Sequence, residues 1–163
     1  MIETRLAELA DAEAIRTIYN HYVSNTTVTF DMVPRSKEQQ ETWLAERSGA
    51  LAVIVAQNEA AEVVGFASLS PYKPRPAYRT SVENSVYVAP GSMRQGVGTL
   101  LMQRLIEVAA DHGYHAIMAR IADANPASMA LHEANGFELV GIEREVGRKF
   151  NRWLDVAVMQ RLL

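Results

Sequence analysis

Between Glu83 and Leu101 the chain reads Glu-Asn-Ser-Val-Tyr-Val-Ala-Pro-Gly-Ser-Met-Arg-Gln-Gly-Val-Gly-Thr-Leu-Leu. Its first part is β-branched and aromatic and predicts a strand, Ser81 to Val88. A Pro-Gly turn and the Gly96-Val97-Gly98 step follow, then an amphipathic helix with Val97, Leu100, Leu101, Leu105 and Val108 as its buried stripe. A strand that feeds a glycine turn and the start of a helix is a common supersecondary unit. The join also makes an anion site, because first-turn amides lack intrahelical partners and the helix dipole adds positive charge.

The rest of the chain extends this pattern. Ile2 to Leu6 suits a short first strand, and Asp11 an N-cap before Ile15, Ile18, Tyr19, Tyr22 and Val23 at helical spacing. Ser36 with Gln39 forms a capping box for a second helix that carries Trp43 and Leu44 inward. Leu51 to Ala56 and Val63 to Leu69 are apolar runs around a polar Gln57–Glu62 segment and predict an antiparallel hairpin. Ser70 to Arg79, with three prolines and two tyrosines, reads as an ordered loop.

Gly113 ends the central helix, and Ala116 to Ile121 is another apolar strand. Pro126 opens a short helix at its first position, and Asn135-Gly136 closes it. Phe137 to Ile142 and Leu154 to Met159 complete the chain as two strands joined by a basic loop. The order β-α-α-β-β-β-α-β-α-β-β places hairpins first and helical crossovers later. That argues an α/β, α+β-like fold with a mixed sheet and helices on both faces.

At 163 residues the chain is expected to be one domain with a full core. A net charge of −3 argues against bulk nucleic-acid binding. The chain has no cysteine, which excludes disulfides, thiolate metal sites and a cysteine nucleophile. His21, His112, His115 and His132 form no ligand cluster with acidic residues at sensible spacing, so no metal site is expected. The first residues lack a basic run before an apolar one, and the apolar runs are too short to span a bilayer. A cytoplasmic enzyme or binding domain, without membrane or nucleic-acid partners, is the default expectation.

With that order in hand, a set of short motifs resembles the GNAT superfamily of N-acyltransferases, and within it the phosphinothricin and methionine sulfoximine N-acetyltransferase group. They are Asn25-Thr26-Thr27, Val82 to Val88, Gly96-Val97-Gly98, Asn125-Pro126-Ala127-Ser128, Leu131-His132-Glu133, Asn135-Gly136-Phe137, and Gly147 to Asp155 around Lys149, Trp153 and Asp155. The resemblance covers essentially residues 1–163 as a single domain with the GNAT fold, its sheet mixed and mostly antiparallel. It implies acetyl-CoA as donor, a small-molecule primary amine as acceptor, and a homodimer. Trp153 and Val156 make the final strand apolar enough to meet a partner.

By the same resemblance, Val86, Tyr87 and Val88 border the acetyl-pantetheine arm, and Met93, Arg94, Gln95, Gly96, Val97 and Gly98 hold the pyrophosphate, with Asn125 and Ser128 beside the cofactor. Met93 stands where relatives often carry Gln or Arg, which shifts the holding onto backbone amides and Arg94. Asn151 stands where relatives often have glycine, and asparagine tolerates positive φ better than most residues.

Acetyl transfer from a thioester needs a neutral amine, a polarised carbonyl and a protonated leaving thiolate. An α-amine titrates near ~8 and a lysine-type amine above ~10, so a nearby base helps. Glu83 is the candidate base that the resemblance favours, directly or through water; taken alone it reads as an ordinary solvent-facing strand glutamate. His132 is the candidate acid, or a surface helix histidine beside Glu133, and Tyr87 is its rival unless strand alternation sends it into the core. A backbone N–H between Val86 and Val88 is the candidate oxyanion donor.

For the acceptor, Lys73, Arg75 and Arg79 precede Glu83, and Arg148 and Lys149 lie in the last loop. Arg75 and Lys149 are the preferred pair for gripping a carboxylate or phosphinate, the others reading as surface charge. Phe30, Tyr72, Tyr78 and Phe150 are candidate walls, and Val82 and Asn84 candidate acceptor neighbours. Two other readings remain open: acetylation of a peptide or protein N-terminus, which needs an open groove, and a non-catalytic acyl-CoA-binding domain, which needs neither Glu83 nor His132.

Overall fold

A computed structural model describes residues 1–163. Seven strands form one sheet in the order β1-β2-β3-β4-β5-β7-β6. The strands are β1 (Glu3–Leu6), β2 (Val53–Gln57), β3 (Val63–Pro71), β4 (Ser81–Val88), β5 (Ala116–Ala122), β6 (Glu138–Lys149) and β7 (Arg152–Leu162). Every neighbouring pair is antiparallel except β4–β5. The parallel pair is joined by the crossover helix α3 (Val97–Asp111), as a parallel connection requires.

The sheet separates two apolar cores. On one face α3 lays Val97, Leu101, Leu105 and Val108 over Ile54, Ala67, Leu69, Val82 and Ile117. Leu100, expected in that stripe, is exposed instead, at the edge of the helix face that meets the sheet. On the other face α1 (Ala12–Asn25) and α2 (Lys37–Ala45) bury Ile15, Ile18, Tyr19, Val23 and Leu44 on Val53, Val55 and Phe66. β2 is buried on both faces and reads accordingly as a continuous apolar run.

Local signals are placed as the sequence predicts at several ends. Ser36 accepts from the Gln39 amide at 3.1 Å while Gln39 Oε1 accepts from the Ser36 amide at 2.8 Å. Asn125 Oδ1 accepts from the Ser128 amide at 3.0 Å and caps α4 (Pro126–Ala134). Asp11 does not cap α1; its carboxylate takes a bidentate pair from Arg5 at 2.7 and 2.8 Å, which ties β1 to the start of the helix. Arg5 holds the Asp11 carboxyl below its usual range.

The last hairpin is longer than expected. The sequence reading ends its strands at Ile142 and Leu154 with a basic loop between, yet β6 and β7 continue to the Lys149–Arg152 pair. Phe150 and Asn151 alone make the turn, at φ 48° and 60°. Two consecutive left-handed residues match the twist of the flanking strands, so the basic residues become paired strand positions.

Candidate active site

The site begins where two strands part. The β4–β5 ladder holds only Ser81–Ala116, Val82–Ile117 and Glu83–Met118. Beyond Glu83, β4 stays paired with β3 as far as Val88, and β5 stays paired with β7 as far as Ala122. The two strands diverge as a wedge, leaving backbone of Ser85 to Tyr87 facing an opening instead of a strand, while the Val88 carbonyl accepts from the Tyr22 hydroxyl.

A cavity of about 620 Å³ fills that wedge. Its walls are Asn84 to Val88 of β4, Ala119 to Ala122 of β5, the Ser92–Thr99 turn, and one side of α4 from Asn125 to His132. Tyr22 of α1 and Val28 of the following loop close it from the opposite face. Arg94 and Arg120 are the cationic side chains of the wall, and no carboxylate lines it. The cavity therefore favours an anionic guest.

One end of the cavity is the N-terminus of α3. Gly96, the residue before the helix, has φ 80° and offers no side-chain cap, so the first-turn amides remain open to a ligand. Arg94 adjoins it at φ 61° and lines the wall. Gly98 sits where α3 meets α4: a Cβ there would stand 3.3 Å from Leu131 Cδ2. Val86, Tyr87, Val88, Met93, Arg94, Gly96, Val97, Gly98, Asn125 and Ser128, the expected cofactor neighbours, are brought together in the lining of this one cavity. Gln95 does not; its side-chain amide folds back to the Gly91 carbonyl at 3.3 Å.

Strand alternation divides the β4 side chains between two faces. Val82 and Asn84 point toward α3 and Glu83 toward the face that carries α1 and α2. Val82 is fully buried in the α3 core, so it cannot touch an acceptor as expected. Asn84 is buried too; its amide donates to Met102 Sδ at 3.3 Å and to His132 Nε2 at 3.0 Å. It holds His132 instead of reaching across the sheet. Tyr87 contributes backbone to the cavity, but its ring packs among Tyr19, Tyr22 and Phe66 at 5.2 to 5.4 Å, which removes it as a proton donor.

His132 is buried, not a surface helix residue. Its Nδ1 lies 2.7 Å from the Ser128 carbonyl, an acceptor only, so Nδ1 carries the proton. Nε2 then receives the Asn84 amide. Burial lowers the imidazole pKa, opposed by the Ser128 carbonyl, and the ring is neutral with no proton on the nitrogen that faces Asn84. That arrangement opposes its use as the acid.

Glu83 is half-buried, and desolvation raises its carboxyl pKa against the pull of Arg120. It does not line the wedge itself; it stands at the last paired position, on the α1–α2 face, opposite Ser70 of β3. Arg120 is the residue that sequence reasoning missed. It is the one charged residue in the apolar run Ala116–Ala122, which was the available signal.

The remaining acceptor candidates fall into two groups. Lys149 is buried, and its Nζ donates to the Thr29 carbonyl at 2.9 Å. It fastens the last hairpin to the loop after α1 and is not free for a substrate; burial lowers its pKa and Asp31 opposes the shift. Phe30 lies on the Gly147 backbone in the same contact. Thr27 adds a bond to Asp123 at 2.6 Å. Tyr72 and Tyr78 meet edge to face at 5.6 Å with Lys73 Nζ over both rings. Lys73, Arg75 and Arg79 are exposed on that loop and make no ion pair.

Residues 4–158 match the family model described as an acetyltransferase (GNAT) domain. The chain belongs to the GNAT acetyltransferase family. It is 42% identical to a phosphinothricin N-acetyltransferase of Streptomyces coelicolor, over 99% of this chain and 96% of that one. It is 40% identical to an L-methionine sulfoximine/L-methionine sulfone acetyltransferase of Pseudomonas paraeruginosa, over 96% and 91% of the two chains. A GNAT phosphinothricin acetyltransferase of Sinorhizobium meliloti, solved in complex with AcCoA, superposes with a TM-score of 0.96 at 36% identity, covering 99% of this chain and 88% of that one. The fold and the family expected from the sequence motifs are those observed.

Proposed function

We propose that this GNAT family member transfers the acetyl group of acetyl-CoA to the primary amine of a small, amino-acid-like acceptor of the phosphinothricin or methionine sulfoximine type. The observation that carries the reading is the wedge: a cavity of about 620 Å³ that starts where β4 and β5 part at Glu83 and ends at the uncapped N-terminus of α3. The α3 amides and Arg94 receive the pyrophosphate. The pantetheine arm lies between the strands, against the backbone of Val86 and Val88.

The acceptor approaches from the α1–α2 face, where Glu83 stands. Its ammonium gives a proton to Glu83, directly or through a water. The neutral nitrogen then attacks the thioester carbon in a ternary complex. A β4 backbone N–H receives the oxyanion, the C–S bond breaks, and the thiolate leaves with a proton from solvent or the nascent amide nitrogen. The raised Glu83 pKa brings the carboxylate closer to the amine it deprotonates.

The test is thiol release with acetyl-CoA against phosphinothricin, methionine sulfoximine, methionine sulfone and short peptides. Turnover of the free amino-acid analogues over the peptides is the expected outcome. Preference for peptides, or tight CoA binding without transfer to any amine, overturns the reading.

We further propose that the enzyme works as a homodimer in the cytoplasm. Leu139, Val140, Ile142, Val146, Phe150 and Trp153 all stand exposed on the last hairpin, an apolar surface suited to a second copy. Val156, expected there, is buried in the sheet and takes no part. No helix is long and apolar enough to cross a membrane. Sedimentation should give twice the chain mass for the wild type and a shift toward monomer for Trp153→Glu with Val146→Glu; a monomeric wild type ends the proposal.

A further inference from the structure

Arg120 is the only cation at the acceptor end of the cavity wall, and it is placed by register. Glu83 pairs with Met118, and Arg120 lies two residues further along β5 on the same face. It is the first residue of that face beyond the point where the strands part. A thioester seated in the wedge, a base at Glu83 and the Arg120 guanidinium therefore converge on one lip of the cleft.

The guanidinium is held but not consumed. Arg120 Nη2 meets Glu143 Oε1 of β6 at 2.9 Å, with 38% and 39% of the two side chains exposed. The contact is a charge pairing without hydrogen-bond geometry, since Glu143 Oε1 is a buried oxygen with no hydrogen-bond partner, and the guanidinium on its exposed side can turn to a competing anion. None of its N–H groups makes a hydrogen bond to the protein, although a guanidinium offers five donors in a fork suited to a carboxylate or phosphinate. The cation also disfavours the protonated form of an amine beside it, which is the form that cannot attack.

We propose that Arg120 is the residue that grips the anionic group of the acceptor and so selects amines bearing a carboxylate or phosphinate, with Glu143 as its parking partner between turnovers. This rests on the transferase reading above. It replaces Lys149, which the fold has committed to Thr29, and it places the anion grip on β5 instead of the exposed 72–79 loop.

The experiment compares wild type, Arg120→Met and Glu143→Gln with methionine sulfone and with its carboxamide, which keeps the amine and removes the negative charge. Arg120→Met should raise KM for methionine sulfone about tenfold or more, as loss of a charge-assisted bond does, with KM for acetyl-CoA unchanged. It should leave the carboxamide nearly untouched, so the preference for the acid over the amide collapses. Glu143→Gln should keep or improve the acid KM, because it frees the guanidinium.

Equal losses on acid and amide, or a loss in Glu143→Gln matching that of Arg120→Met, would make Arg120 a packing residue and overturn the proposal. A shift confined to the acidic limb of the pH profile, with KM unchanged, would make it a tuner of Glu83 and overturn it as well. An active wild type with an unaffected Arg120→Met removes Arg120 alone. A wild type inert toward both acceptors removes the function and this inference together.

Discussion

β4 carries two chemistries on alternate residues. Val82, Asn84, Val86 and Val88 look toward α3 and α4, where the surroundings are apolar and closely packed. Glu83 and Ser85 look toward the α1–α2 face, beside Ser68 and Ser70 of β3 and close to Arg120 of β5. In the proposed reaction one face receives the cofactor by shape and backbone amides, and the other handles charge. The difference teaches how a single strand serves a two-substrate reaction: the period of two sends neighbouring residues to different ligands, and the gap between β4 and β5 lets the ligands meet.

Glu83→Gln breaks the polar face at its centre and is the largest effect expected. Turnover should fall by about 100-fold or more, the usual range for loss of a general base, with acetyl-CoA affinity unchanged. The variant should also be more stable than wild type at neutral pH. The folded protein raises the Glu83 pKa, so it holds the proton longer than the unfolded chain and loses stability as pH rises through that window. Gln removes that loss. Calorimetry at pH 5 and pH 8 checks the sign; a variant less stable than wild type at pH 8 contradicts the desolvated carboxylate.

Gly98→Val tests the other face. Its added atoms meet Leu131 Cδ2 and press α3 against α4 at the mouth of the cofactor site. Overpacking of this kind costs about 1–3 kcal/mol, and acetyl-CoA KM should rise while the acceptor KM stays near wild type. Loss of acceptor affinity without loss of acetyl-CoA affinity would show that the two faces do not divide the ligands.

The smallest expected effect is a pH dependence on the cofactor face. Burial keeps His132 neutral in the fold, so its folded pKa lies below the unfolded value of ~6.5. The unfolded chain then binds the extra proton first, and stability falls as pH drops below that value. His132→Gln, which retains hydrogen-bonding groups toward Asn84 and Ser128, should flatten the slope of Tm between pH 7 and pH 5. An unchanged slope would place the titrating group elsewhere.

The strand, turn and helix that line the α3 side of the cavity were legible in the sequence because they are local. Ser81 to Val108 encodes strand, turn, positive-φ Gly96 and helix in one contiguous stretch, and each signal acts on neighbours within a few residues. The side chains on the opposite face of β4 were less legible. Lys149 reads as half of the anion grip in a basic loop, yet it is buried against Thr29, 120 residues away in the chain. Val82 and Asn84 flank Glu83 in sequence and belong to the opposite side of the sheet. Arg120 carries no motif; only its isolation in an apolar strand marks it.

The sequence by itself determined the order of elements, the helix ends at Ser36, Asn125 and Gly113, and the anion-ready turn before α3, since these depend on local dihedral preference and short-range periodicity. Only the tertiary structure decided where β4 and β5 separate, which charged residues stay free and which are spent on the fold. Those outcomes depend on strand register and on contacts between distant residues, and no local pattern records them.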